Sequence, residues 1–331
     1  MKQLRMHRLA AAGLVAVSWI AVSAFSPAAK EISLALQEGG TAAWEIAAMD
    51  ALGLDAHHGI NIEVRGVVDS RAGQVALQAR EVDVILSDFV WASIQRHQGA
   101  DFTIVPHSLA VGGLMVAPDG PITSVADLAG HTVAIAGGPV DKSYVVLQAY
   151  YNAQTGQNLP EDISAEFGAP PLVNELLFDG RAQAALNFWH FNARARVAGM
   201  EELISVQEML TALGVERQPP LLGWVFSERF ARNDADAIKR FLDASFATKE
   251  ALLTDDEVWE EIRPAMNVGE DDALFIALRD AYRAGIVTSY GDEDIAAATQ
   301  SFALMAQFGG SELIGEDQEI APGTFWDGYR K

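Results

Sequence analysis

The chain has 331 residues, of which 50% are apolar and 21% are charged, and its formal net charge is −22. This composition is typical of a folded chain large enough for two lobes or domains, and it excludes a disordered protein. The acidic chain has no cluster of lysine or arginine residues that could bind phosphates, which excludes nucleic-acid binding. The lack of cysteine excludes thiol nucleophiles, iron–sulfur clusters and cysteine-based zinc sites.

The first 24 residues have the three parts of a secretory signal peptide. Three basic residues lie within the first eight positions, and an apolar run over 9–24 ends in the small residues Val22–Ser23–Ala24. An uncleaved membrane anchor is the alternative, but the run is shorter than the roughly 20 residues of a typical span. We therefore predict that residues 1–24 are removed during export to the periplasm.

Short apolar runs then alternate with helical patterns up to residue 105. Strands are predicted at 32–36, 61–66, 82–86 and 102–105, and helices at 44–56, 69–80 and 89–98. This strand–helix–strand order favours a parallel or mixed sheet that is covered by helices.

The same order begins again near residue 114. Strands are predicted at 114–117, 131–136, 163–167 and 182–187, and helices at 125–128, 139–154, 172–178 and 190–199. Two similar α/β units thus follow each other along the chain, without a repeat of the length that solenoid proteins use.

Beyond Pro219–Pro220 one further strand, at 223–227, is followed by helices only. These helices are predicted at 234–253, 255–266, 271–284 and 292–308. Each begins near an aspartate, which favours a helix N-terminus through capping and through the helix dipole. Because one strand followed by helices does not readily form a separate domain, we predict that this strand re-enters the first sheet.

This return of the chain predicts an α/β fold of two lobes, each a mixed sheet flanked by helices. Residues 31–116 and 222–331 would form the first lobe and residues 117–221 the second. Two crossings, near 112–118 and 219–224, would join the lobes. A cleft between two lobes connected in this way can close by a hinge motion.

Ligands of open α/β sheets lie beyond the carboxyl ends of the strands, where the following helices begin. In the first lobe the candidate ligand-binding residues are Gly40, Thr41, Trp44, Ser70, Arg71, Asp88 and Phe89. Asp88 directly follows a buried strand, and we expect it to accept a hydrogen bond from an ammonium group or a ring N–H of the ligand.

In the second lobe the sequence AIAGGPVDKSY, over residues 134–144, joins a strand to a helix. Its two glycines permit close approach of the backbone, and the helix N-terminus supplies free N–H groups, which favours an anionic or strongly polar ligand group. The spacings of the P-loop and of the dinucleotide fingerprint are absent. The candidate residues here are Gly137, Gly138, Asp141, Lys142 and Tyr144.

Two alternatives stay open for this loop. The glycines could simply turn the chain while Asp141 or Ser143 caps the helix, and Lys142 could lie on the surface rather than neutralise an anion.

A run of aromatic residues follows the strand at 182–187. The side chains of Phe188–Trp189–His190–Phe191 point in different directions, so the core cannot take all of them. Together with Trp44, Trp91 and Tyr144 they could form walls for a flat ring or a cation. Asn187, Trp189 and His190 therefore complete the candidate site.

The motifs of enzymes are missing from the chain. The adjacent His57 and His58 do not share a helix face, and neither a zinc-protease motif nor a nucleophile elbow is present. We predict a binding protein for a small-molecule solute, with no cofactor and no metal ion.

Four segments resemble the nitrate/sulfonate/taurine-binding group of solute-binding proteins, which also includes receptors for thiamine precursors. They are ALGLDAHHGINIEVRGVVDSRAGQVALQAREVDVILSD (51–88), ITSVADLAGHTVAIAGG (122–138), ELLFDGRAQAALNFW (175–189) and FSERFARNDADAIKRFLDAS (226–245). The resemblance implies the type II fold of periplasmic binding proteins, closure on a solute, and delivery to an ABC permease in the inner membrane. A monomer is expected.

The resemblance implies several ligand classes. Members bind nitrate, bicarbonate, sulfonates, taurine or thiamine-precursor pyrimidines, so a small sulfonate, amine or pyrimidine-like solute is expected. Gly137–Gly138–Pro139 departs from the Gly–Ser pair that members commonly have, and the cysteines of the enzymatic relatives are absent. The alternatives are a ligand-sensing receptor for a signalling partner and a secreted enzyme with the same fold.

Overall fold

Apolar runs of the sequence form two five-stranded sheets in the computed structural model, which describes residues 29–331. The predicted signal peptide lies outside the described residues. Each sheet mixes parallel and antiparallel pairs, and helices cover it, so the predicted fold class is confirmed.

The first sheet is built from two separate parts of the chain. Its strands are β1 (Lys30–Gln37), β2 (Ile60–Val67), β3 (Val84–Asp88), β4 (Phe102–Ser108) and β10 (Leu222–Ser227). Their order is β2-β1-β3-β10-β4, in which β10 lies antiparallel between β3 and β4 and the other neighbours run parallel. The strand after Pro220 therefore returns to the first sheet, as the sequence predicts.

The second sheet uses one continuous part of the chain. Its strands are β5 (Gly113–Val116), β6 (Thr132–Ala136), β7 (Ser164–Gly168), β8 (Ala184–Asn187) and β9 (Glu201–Ser205). Their order is β7-β6-β8-β5-β9, with β5 antiparallel to both of its neighbours. Because β5 pairs in this sheet, the chain leaves the first sheet before Gly113, and the lobe boundary at residue 116 needs this correction.

Helices surround both sheets. In the first sheet's N-terminal segment they are α1 (Ala42–Ala51), α2 (Leu54–His57), α3 (Ser70–Ala79) and α4 (Phe89–His97). Around the second sheet they are the short 3-10 helix Val125–Leu128, α5 (Lys142–Thr155), α6 (Leu159–Asp162), α7 (Pro170–Phe178), α8 (Trp189–Val197) and α9 (Val206–Ala212).

The C-terminal part is helical after β10. Its helices are α10 (Glu228–Asn233), α11 (Ala235–Thr254), α12 (Asp256–Met266), α13 (Asp272–Ala284) and α14 (Asp292–Ile314). Asp234, Asp255 and Asp271 each accept a hydrogen bond from a backbone N–H in the first turn of the helix that follows. The aspartates that the sequence places before these helices therefore act as N-caps.

The structure differs from the sequence prediction in several elements, among them the short helices α6 and α10, which were not predicted. The helix predicted over 44–56 is divided into α1 and α2 because Gly53 adopts a φ of 62°. β9 and α9 were not predicted, since β9 is a short edge strand that begins with two glutamates. α14 continues past residue 308 through a kink at Gly310.

Each sheet has its own apolar core. Trp224, Phe226 and Phe241 are fully buried in the core of the first, and Leu147 and Tyr151 in that of the second. Burying a leucine or phenylalanine side chain contributes roughly 1.5–3 kcal/mol, so each lobe is stabilised by a core of its own. Within residues 29–331, no helix combines the length and the apolar character needed to cross a membrane.

The first crossing between the lobes, residues 109–112, requires glycine at its end. A Cβ atom on Gly112 would lie 1.6 Å from the carbonyl oxygen of Asn187, which is backbone and cannot move aside. We predict that Gly112→Ala lowers the free energy of unfolding by more than about 2 kcal/mol, measured by urea denaturation.

Gly291→Ala is the matched control for this substitution, because a Cβ atom there meets nothing within 4 Å. Equal stability of the two variants would contradict the close contact at the crossing.

Candidate ligand-binding site

The two lobes contact each other through helices on both sides of the crossings. α8 of the second lobe packs on α13, and α5 packs on α14. Val145 of α5 belongs to the apolar core of the first lobe, while Leu304 of α14 packs against the core of the second. The loops that follow β3 and β6 are thereby brought together.

One ion pair connects these two loops directly. Lys142 Nζ, at the start of α5, lies 3.1 Å from Asp88 Oδ2, at the end of β3, with side chains 27% and 16% exposed. The other carboxylate oxygen of Asp88 accepts a hydrogen bond of 2.8 Å from the backbone N–H of Trp91 and so caps α4. Asp88 thus caps α4 in its own lobe and at the same time forms an ion pair with the opposite lobe.

The charge of Lys142 is stable in this position. Burial by itself lowers the pKa of the ammonium, but the carboxylates of Asp88 and Asp141 more than offset it, and the pKa of Lys142 lies above 10.5. Lys142 therefore remains protonated at neutral pH.

Asp141 caps α5 from within the glycine loop. Its Oδ1 accepts hydrogen bonds from the backbone N–H groups of Ser143 (2.9 Å) and Tyr144 (3.4 Å). Burial raises the pKa of Asp141, against the opposing effect of Lys142 and these N–H groups. Of the alternatives that the sequence left open, the structure therefore shows the one in which Asp141 caps the helix. The N-terminus of α5 is already occupied by this carboxylate. Gly138 borders open space.

Aromatic rings from both lobes also meet where α1 and α8 begin. Trp44 of α1, 3% exposed, contacts Trp189 of α8 edge-on at a centroid distance of 6.0 Å. Tyr282 of α13 lies 5.8 Å from Trp44 and 5.9 Å from Trp189, and Trp259 of α12 lies 6.5 Å from Trp44. We call these four residues the aromatic cluster.

A buried polar network lies directly behind Trp44. The carboxylate of Glu45, with no exposed surface, is 2.6 Å from Lys249 Nζ. It also accepts hydrogen bonds from the hydroxyl groups of Ser245 and Tyr282. Glu45 thereby connects α1, which carries Trp44, to α11 and to α13. α13 carries Tyr282, a second ring of the aromatic cluster.

Burial shifts the ionisable groups of this network. It lowers the pKa of Lys249, against the charge of Glu45, and it raises the pKa of Tyr282 well above 10, with Glu45 acting in the same direction. Burial, assisted by Lys249, also lowers the pKa of His107 well below 6.5. His107 is therefore neutral at pH 7, with its Nδ1 3.4 Å from Glu45.

His190 stands next to Trp189 at the start of α8. Its ring centroid lies 5.2 Å from that of Trp189, and among the described residues its buried Nδ1 has no hydrogen-bond partner. Burial lowers its pKa to about 4, and the charge of Arg194 contributes. A neutral imidazole with a free nitrogen is thus available near the contact between the lobes.

Residues 49–257 match the family model described as "NMT1/THI5 like". The chain belongs to the NMT1/THI5-like family. No curated protein matches the chain.

Solved structures share the fold of this NMT1/THI5-like protein. The periplasmic aliphatic sulphonate binding protein SsuA from Escherichia coli is 17% identical, with a TM-score of 0.69 over 90% of this chain and 97% of that one. The alkanesulfonate-binding protein SsuA from Xanthomonas axonopodis pv. citri, bound to MOPS, is 15% identical, with a TM-score of 0.67 over 90% and 99%.

A third match shows that the fold is not restricted to binding proteins. The desulfurization enzyme DSZB is 11% identical, with a TM-score of 0.59 over 89% of this chain and 97% of that one. At these identities the matches establish the two-lobed fold of the NMT1/THI5-like protein and not its ligand.

The structure brings some of the sequence-predicted residues together and separates others. Trp44 meets Trp189, and Asp88 meets Lys142. Gly40 and Thr41 precede α1, and Thr41 is its N-cap residue without a side-chain hydrogen bond to the helix. Gly137, with a φ of 86°, turns the chain after β6.

Three predicted residues are used inside the protein instead. Phe89 packs in the first core, 5.7 Å from Phe325, because it starts the buried face of α4. Tyr144 packs in the core of the second lobe. The side chain of Asn187 is fully hydrogen-bonded, to the carbonyl of Pro170, to Asn174 and to the N–H of Phe188.

Ser70 and Arg71 lie at the exposed start of α3, after the edge strand β2. Among residues 29–331, neither side chain forms a hydrogen bond or an ion pair with another residue. The structure thus keeps both available to solvent and shows no contact from them to the second lobe.

Glu45, Lys249, Trp259 and Tyr282 were not among the residues predicted from the sequence. A glutamate in the apolar segment that forms α1 was the one local signal for the network. Nothing in the spacing of the C-terminal helices indicates that Trp259 and Tyr282 return to α1, since 200 or more residues separate them.

Larger cavities lie away from these contacts. One of about 630 Å³ is lined by Arg80, Asp101 and Arg229, and another of about 460 Å³ lies between α14 and residues 318–327. We assign the site by the strand ends and helix N-termini instead, because ligands of open α/β sheets lie beyond the carboxyl ends of the strands. Within the described residues, no group of three or more histidine, aspartate or glutamate side chains could hold a metal ion.

We predict that Lys249→Met destabilises the protein by about 3–5 kcal/mol, because it leaves the carboxylate of Glu45 buried without its cation. Urea denaturation measures the effect. Lys239→Met, at an exposed position of the same helix, is the control. The double variant Glu45→Gln/Lys249→Met should recover part of the loss. A cost for Lys249→Met no larger than that of the control would contradict the role of the pair.

We also predict that stability falls as the pH is lowered from about 6.5 towards 4. Unfolded His190 binds a proton near pH 6.5, whereas the folded residue does so only at about 4. Between these values the unfolded chain holds more protons, so unfolding becomes easier as pH falls. The contribution is at most about 1.4 kcal/mol per pH unit.

Urea denaturation at pH 7 and pH 4.5 tests this pH dependence. His190→Gln should reduce the difference between the two pH values without abolishing it, because His107 contributes in the same direction. His57→Gln, at an exposed position, is the control and should change the difference less than His190→Gln does. An unchanged difference in His190→Gln would show that His190 is not held neutral.

Proposed function

We propose that this chain is the solute-binding component of an ABC importer in the periplasm. It captures a small polar or aromatic organic solute, such as a sulfonate, an amine or a pyrimidine-like compound, between its two lobes. The observation that carries the proposal is the meeting of Asp88 with Lys142 and of Trp44 with Trp189, each pair formed by residues from opposite lobes.

Capture would proceed by hinge closure at the two crossings. When the lobes separate, the starts of α1, α4, α5 and α8 become accessible to a solute together. Trp44 and Trp189 would then cover the flat or apolar part of the solute, while Asp88, Lys142 and His190 would bind its polar groups. The backbone N–H groups of Thr41 and Gly138 would supply further donors, whereas those of Gly40 and Gly137 already donate to the carbonyl oxygens of Gln37 and Gly168.

The comparisons support a binding role. The E. coli and Xanthomonas structures are named as sulfonate-binding proteins, and each shares the fold over nine-tenths of this chain. A periplasmic receptor of this kind is expected to act as a monomer and to deliver its solute to a permease in the inner membrane. The signal-peptide pattern at residues 1–24 agrees with this location.

Binding is favoured over catalysis by the position of the reactive groups. Ser245 and Lys249 lie 2.7 Å apart, an arrangement that in other settings activates a serine, but both are buried with Glu45 behind the aromatic cluster. A substrate between the lobes does not reach them.

Mass spectrometry of small molecules released from natively purified protein tests the function. We expect a bound solute that is released unchanged, that raises the melting temperature when added back, and that reduces the radius of gyration in solution scattering. Release of a converted product would support an enzyme instead. Absence of any bound solute, of any thermal shift and of any compaction would reject the receptor.

We predict that Trp189→Ala weakens the affinity for the recovered solute at least tenfold, which is about 1.4 kcal/mol, because it removes the second-lobe wall. Isothermal titration calorimetry measures the affinity. Val197→Ala, at an exposed position on the same helix, is the control and should bind as the unaltered protein does. Equal affinity of the two variants would remove Trp189 from the site.

A further inference from the structure

The Asp88–Lys142 pair combines two properties that few surface ion pairs share. Each partner belongs to a different lobe, and each is largely buried, with 16% and 27% of the side chain exposed. Among residues 29–331, neither forms an ion pair with any other side chain. Any solute that enters between these loops therefore has to separate the two charges.

Separation has different consequences for neutral and for charged solutes. A solute that closes the lobes around itself removes water from both groups, and a buried charge without its partner is strongly unfavourable. A neutral solute replaces neither partner. A solute with a cation restores the environment of Asp88, and one with an anion restores that of Lys142.

Each group also has a secondary partner within its own lobe. Asp88 keeps the N–H of Trp91 and the positive end of α4, while Lys142 keeps the nearby carboxylate of Asp141. The charge that the solute does not contact is thus partly balanced by a partner in its own lobe. A solute with a single charge is therefore enough to replace the ion pair.

We infer that Asp88 and Lys142 form an exchange pair that determines specificity: the solute replaces their contact and must therefore carry a formal charge. This inference rests on the proposed function, since it concerns the same site. It also implies that the pair favours contact between the lobes of the empty protein.

Three probes of similar shape test the charge requirement: benzylammonium, benzenesulfonate and benzyl alcohol. We expect a charged probe to bind at least tenfold more tightly than benzyl alcohol by calorimetry. Asp88→Asn should abolish that preference if benzylammonium is favoured, and Lys142→Gln if benzenesulfonate is. Asparagine still caps a helix, so Asp88→Asn preserves the start of α4.

Asp69→Asn is the matched control, because Asp69 caps α3 in the same way at an exposed position. It should leave the preference unchanged. Equal binding of benzyl alcohol and of the charged probes would overturn the inference and leave the proposed function intact. If none of the probes binds, the solute that co-purifies with the protein tests the charge requirement. A co-purified compound without charge at pH 7 would overturn the inference.

Solution scattering of the empty protein supplies a second readout. We expect Asp88→Asn and Lys142→Gln to increase the radius of gyration, because each removes the ion pair that connects the two lobes. Identical scattering of both variants, of Asp69→Asn and of the unaltered protein would overturn the exchange pair. Absence of every bound solute and every bound probe would reject the proposed function itself.

Discussion

The antiparallel insertion of β10 between β3 and β4 is the constraint on which the rest of the structure depends. It obliges the chain to cross between the sheets twice, and it places the C-terminal helices on the first lobe. Trp224 of β10 anchors this return, since its ring packs on Phe241 and its Nε1 donates a hydrogen bond to Ser245. Without it, α12 and α13 would not carry Trp259 and Tyr282 to α1.

Two lysine–carboxylate pairs have different roles because their burial differs. Lys249 and Glu45 are enclosed within one lobe, where water cannot replace either partner, so the pair holds α1 and α11 in one arrangement. Lys142 and Asp88 join two lobes and keep some exposed surface. Theirs is the contact that the proposed solute would replace between the lobes.

Helix capping limits what the site can bind. The glycine loop favours an anion at the start of α5, yet Asp141 already accepts the N–H groups there, as Asp88 does at α4. α1 and α8 begin without a side-chain cap, at Thr41 and Phe188, and their first turns carry Trp44 and Trp189. The polar and the aromatic contacts between the lobes therefore come from different pairs of helices.

The sequence by itself determined most of the strands and helices, the capping aspartates and the return of the last strand, because hydrophobic periodicity and helix-end signals act within a few residues. It did not indicate the short elements α6, β9, α9 and α10. It also placed Asp88, Lys142, Trp44 and Trp189 at strand ends, where sites of this fold lie. Only the tertiary structure decided that Phe89 and Tyr144 belong to cores and that Glu45, Lys249 and Tyr282 form a buried network next to Trp44. Which helix faces meet depends on packing between segments as much as 237 residues apart, and no local pattern records that choice.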